Sequence, residues 1–90
     1  MDHKLRVILD YEGYGNLREF PDGVVAGIYQ MMFTTALVVG LDETGYQRRY
    51  CYEFRIDAID ALAVWDGTGD PSGPWIKSKP DQRLGPGATK

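Results

Sequence analysis

The sequence predicts an α+β domain. It should be a small antiparallel meander of about four to five strands, with one C-terminal helix packed on it and an irregular Gly/Pro/Trp-rich segment after the helix. Three observations carry this. Short period-two segments rich in Val, Ile and Tyr recur through the first fifty-odd residues and are separated by turn residues. One later stretch, RIDAIDALAVWDG, has helical spacing of its apolar residues and carboxylates near its start. After it, WDGTGDPSGPWIKSK (Trp65 to Lys79) combines three glycines, two prolines and two tryptophans, and cannot extend a helix.

The elements follow in order. Leu5, Val7, Leu9 and Tyr11 alternate with Arg6, Ile8 and Asp10, which reads as a first strand. EGYGN then supplies turn chemistry. In LREFPDGVV, Pro21 presets φ, Asp22 tolerates the second turn position and Gly23 provides positive φ. A hairpin is expected there, with a short strand at 17–20 and a longer one from Val24. The tract from Val24 to Val39 is apolar on both faces. Its Val pair, Tyr29, Phe33 and Thr pair favour strand over helix, and its length calls for a bend or bulge near Thr34–Thr35.

Asp42-Glu43-Thr44 fits a type I turn with Gly45 in the left-handed position after it. Counting outward from Asp42 opposite Tyr46 pairs Val38 with Tyr50 and Ala36 with Tyr52 on one side, and Leu37 with Cys51 on the other. In the helix, Ile59, Leu62 and Trp65 share a face with Ala58 beside them. Asp57 and Asp60 suit its first turn in a capping-box-like way, and Gly67 suits its C-cap. Pro71 and Pro74 keep the next segment irregular, and Trp65 and Trp75 are expected to bury against one core as a clasp. After Pro80, DQRLGPGATK has little to bury, so residues 1–80 form a single domain and 81–90 a flexible tail.

Composition narrows the function classes. Ninety residues make one small domain. The single cysteine, Cys51, excludes an internal disulfide framework and points to a reducing, cytoplasmic setting. No apolar h-region precedes the first glycine, and no uninterrupted apolar run reaches the roughly 18 residues of a membrane span. Net charge is −3, unevenly spread: the C-terminal end carries Lys77, Lys79, Arg83 and Lys90 against Asp81. This is not the strongly basic footprint of a dedicated nucleic-acid binder.

Candidate chemistry is sparse. His3, the one histidine, sits at a terminus, which positions a general base badly. Cys51 lacks a histidine partner and reads as a small buried hydrophobe. Asp66, Thr68 and Asp70 have alternate oxygens, but Pro71 follows and Lys77 stands where a calcium loop needs its glutamate, so they read as Asp turns. GTGDPSG follows a helix, whereas phosphate loops follow a strand. No catalytic, metal or cofactor site is expected. The best positive signal is the interleaving of Arg48 and Arg49 with Tyr50 and Tyr52. An exposed Arg/Tyr sheet face, helped by Lys77 and Lys79, could stack bases and neutralise phosphates of a single strand.

The run GIYQMMFTTALVVGLDETGYQRRYCYEF, followed by ALAVWDGTGDPSGPWIKSK, resembles a family of small bacterial and phage proteins that end in an aromatic RYCYE strand, a short helix and a WDGxGDPxGPWIK segment. The resemblance covers about residues 27–79. It implies a phage-type accessory protein rather than an orphan enzyme, and carries no activity and no site residue. The resulting expectation is a small, non-enzymatic, cytoplasmic interaction protein. Its sheet is apolar on both faces with one helix to cover it, so a homodimer or a protein partner should cover the second face. The alternative is a single-stranded nucleic-acid-binding module.

Overall fold

Four short strands lie between two helices, and β-branched or aromatic residues build the last three of them. The structure, a computed structural model, describes residues 1–76. In chain order the elements are α1 (His3–Tyr11), β1 (Gly15–Glu19), β2 (Val25–Gln30), β3 (Thr35–Val39), β4 (Arg48–Tyr52) and α2 (Arg55–Val64). The strands form one antiparallel sheet in the order β1-β2-β3-β4. The α+β meander with a C-terminal helix is therefore as the sequence predicts. The tail proposed for 81–90 lies outside the described residues.

The N-terminal strand is corrected: residues 3–11 are helical. KLRVILDY satisfies both periods, because Leu5 and Leu9 are two strand steps apart twice over and also one helical turn apart. Burial decides between them. Met1, Leu5 and Leu9, spaced by four, pack on the sheet, while Val7 and Tyr11, which a strand would place beside them, are exposed. With α1 on one face and α2 on the other, the sheet is sandwiched. Ala26, Ile28, Leu37, Val39, Tyr50 and Tyr52 face α2. Val25, Ala36 and Val38 face α1. The surplus face inferred from the sequence is thus largely covered from within the chain, and that argument for dimerisation falls.

The tract from Val24 to Val39 is not one bent strand. It folds back as a hairpin between β2 and β3, closed by the Met31 N–H donating to the Thr34 carbonyl at 2.9 Å. The tip, Met31-Met32-Phe33-Thr34, has none of the usual turn residues. Gln30 closes it instead. Its amide donates to the Met31 and Thr34 carbonyls at 3.0 and 3.1 Å, and its Oε1 accepts from the Thr35 hydroxyl at 2.8 Å and the Arg55 guanidinium at 3.1 Å.

The β3–β4 register is also shifted by one residue from expectation. Leu37 faces Tyr50, Ala36 faces Cys51 and Val39 faces Arg48. The loop is a two-residue turn, Glu43-Thr44, closed by a bridge between Asp42 and Gly45. Because side chains alternate, this slip moves both tyrosines to the α2 face. There Tyr50 and Tyr52 find partners for their hydroxyls. A bulge follows on β3's side, where the Gly40 and Leu41 N–H groups both donate to the Val25 carbonyl.

Helix α2 starts where expected, at Arg55, but ends at Val64, before Trp65, and its caps are not the expected ones. Its N-cap is Phe54, which has no side-chain acceptor, so the capping-box expectation for Asp57 and Asp60 is corrected. Its C-cap is Trp65, not Gly67. Two of the helix's last carbonyls, Leu62 and Ala63, accept from the Arg18 guanidinium, which lies over the Phe20 ring at 4.6 Å.

Candidate interaction surface

The clasp explains the Gly/Pro/Trp stretch as far as Ile76. Trp65 ends α2 buried, edge-on to Phe20 with ring centres 5.1 Å apart, and its Nε1 donates to the Thr68 carbonyl at 3.0 Å. Asp66 accepts from the Thr68 N–H at 2.9 Å and hydroxyl at 2.8 Å. That Asx turn is the role the sequence suggested, and Asp42 makes the same turn with Thr44 in the 42–45 loop. The hydrogen bonds hold both carboxyls below their usual range. Pro71 is fully buried and Pro74, after a cis Gly73–Pro74 bond, is exposed. Trp75 is partly buried on the same core as Trp65, 5.3 Å from the Tyr50 ring, as expected.

This arrangement takes the Arg/Tyr platform apart. Tyr50 and Tyr52 are 0% exposed, under the clasp. The Tyr50 hydroxyl donates to Asp70 Oδ1 at 2.7 Å, and the Tyr52 hydroxyl to the Ser72 carbonyl at 2.7 Å while accepting from Trp75 Nε1 at 3.1 Å. No base can stack on them, so their assignment as binding residues is corrected. Arg48 shares their face: it donates to the Tyr50 hydroxyl at 2.9 Å and lies 3.8 Å from Asp70. Arg49 and Cys51 point to the opposite face. Lys77 and Lys79 lie outside the described residues.

Burial pushes the Tyr50 phenol up to about 12, with the bond to Asp70 adding to the shift and the Arg48 cation opposing it. An unfolded tyrosine ionises near 10.0. The folded state thus keeps its proton where the unfolded state has lost it. The network's contribution is whole below pH 10 and is lost as pH climbs through 12. Unfolding free energies measured from pH 9 to 12 should fall more steeply for the wild type than for Tyr50→Phe. Parallel curves would sever the network from alkaline stability.

Among the described residues, Val7, Tyr11 and Val64 are exposed singly on the helices, whereas a group of exposed apolar side chains gathers at one end of the sheet, where β2 turns into β3 and β4 leads into α2. Met32 and Phe33, at the tip of the Gln30-stapled turn, are each 85% exposed. Phe54 and Ile56, at the start of α2, are 59% and 61% exposed, and Ile76 is 48% exposed. The Ile76 N–H donates to the Cys51 carbonyl at 2.8 Å, which pins the clasp's end to the outer edge of β4.

Two hollows flank Ile76. One, of about 290 Å³, is lined by Met31, Met32, Phe33, Thr34, Arg49 and the buried Cys51 together with Ile76. The other, of about 240 Å³, is lined by Glu53, Phe54, Asp57, Pro74 and Trp75 together with Ile76. The sequence reading missed this surface. Its signal was an apolar Met-Met-Phe run that turns out to be a turn tip.

Among the described residues, no group of three or more His, Cys, Asp or Glu side chains could hold a metal ion. No helix among them is long and apolar enough to cross a membrane. Comparison with protein-family models, curated proteins and solved structures finds no match.

Proposed function

We propose that this chain is a non-enzymatic interaction protein that docks a protein surface on the apolar end of its sheet. One observation carries the reading: Phe33 and Met32 are held out in a turn where ordinary turn chemistry would place polar residues. A departure from local sequence rules of this kind marks a functional position more often than a packing one. The hairpin that presents them is not slack, because Gln30 closes it with four hydrogen bonds, one of them from Arg55. Exposed Met and Phe around adjoining hollows supply the apolar centre that protein interfaces use, while the charged residues around them supply a polar rim. The phage-type accessory role implied by the WDGTGDPSGPWIK resemblance, and a cytoplasmic setting for a chain with one buried free thiol, agree with this reading.

The test is site-specific photo-crosslinking in cells, with the photoreactive residue at Phe33 and a control at Tyr11 on the exposed side of α1. Discrete protein adducts from position 33 and none from position 11 are expected. A position 33 that forms no adduct with any protein would sink the proposal.

A further inference from the structure

The two hollows beside Ile76 differ in sign. The hollow that contains Phe33 carries Arg49, and the one that contains Phe54 carries Glu53 and Asp57. Ile76 belongs to both.

The geometry points to a second copy of this chain as the occupant: an isologous dimer about a twofold axis beside Ile76, with Arg49 of one protomer facing Glu53 and Asp57 of the other. This rests on the interaction reading above and names its partner. In an isologous interface, residue i meets j while j meets i. A twofold axis at the residue shared by both hollows, running across the line that joins them, sets the cationic hollow of each protomer on the acidic hollow of the other, so the two meet twice. Opposite charges then face each other at both meetings, and Phe33 of each protomer lies toward Phe54 of the other.

Edge-to-edge pairing of two β4 strands is a different arrangement, and the structure disfavours it. The Ile76 N–H already occupies the Cys51 carbonyl on that edge. The contact is therefore between side chains, over Ile76.

The experiment is sedimentation equilibrium of the full chain at low salt, on the wild type, on Arg49→Glu and on the Glu53→Arg/Asp57→Arg double variant. Each variant alone places like charges opposite one another and should dimerise roughly tenfold more weakly than the wild type. Their equimolar mixture opposes unlike charges at both meetings and should restore a dimer at or above the original affinity. Glu53 is exposed and Arg49 and Asp57 are partly buried, and matched far-UV spectra and thermal midpoints keep loss of fold out of the comparison.

A wild type that stays monomeric up to roughly 100 μM overturns the proposal. So do two variants that dimerise unchanged, or a mixture that restores nothing. The photo-crosslinks separate this failure from failure of the broader reading. Adducts from position 33 to other proteins, with no self-adduct, leave the interaction reading standing without the dimer. Adducts only to residues 77–90 of the same chain remove both.

Discussion

Trp65→Ala should lower the unfolding free energy by about 3–5 kcal/mol, the range for truncating a buried Trp. The ring is only 5% exposed, meets Phe20 edge-on and donates to the Thr68 carbonyl, so its loss leaves a cavity and an unpaired carbonyl. Trp75→Ala should cost less, about 2 kcal/mol, because that ring is only partly buried and its Nε1 bond reaches a hydroxyl already engaged with Ser72. Urea unfolding of both variants checks the order. If Trp75→Ala proved the costlier, the clasp rather than the end of α2 would anchor this face.

Gly67→Ala should be nearly as damaging, by about 2–4 kcal/mol. Its φ is +91°, which costs a residue with a Cβ roughly 1–2 kcal/mol. A Cβ there would also stand 2.7 Å from Phe20 Cδ1 and 2.9 Å from Cγ. Phe20 is held between Trp65 and the Arg18 guanidinium, so the ring cannot yield without disturbing the carbonyls that Arg18 satisfies. Gly69→Ala is the control: its φ of +63° is positive as well, but nothing lies within 4 Å of the added Cβ. A denaturant midpoint shifted far more by Gly67→Ala than by Gly69→Ala is expected. Equal shifts would mean that backbone strain alone acts and the Phe20 contact does not.

These residues also show where sequence reasoning stops. Trp65, Trp75, Pro71 and Gly67 were legible as structural because their types restrict what a chain can do: a tryptophan seeks burial, a proline blocks a helix, and a glycine permits positive φ. The turn at 21–23, the Asp42 and Asp66 turns and the start of α2 were legible for the same reason, since each rests on contacts between residues a few positions apart. The candidate surface was not. Nothing local marks Met31 to Thr34 as a turn, because the group that closes it is the side chain of Gln30, held in turn by Arg55 of α2.

By itself, then, the sequence determined the class of fold, an antiparallel meander, the C-terminal helix and the irregular clasp. Each follows from periodicity or from the stereochemistry of single residues. Tertiary structure decided the rest. It made Leu5 and Leu9 a helical stripe with Met1 packed beside them, because the face formed by Val25, Ala36 and Val38 takes these residues and leaves out Val7 and Tyr11, which a strand would have carried along. It set the β3–β4 register, which places the Tyr50 and Tyr52 hydroxyls against Asp70 and Ser72, about twenty positions along the chain. And it left Phe33 and Met32 in solvent. Period-two patterning is the same for either strand face and for a short helix, so only burial against distant partners could choose between them.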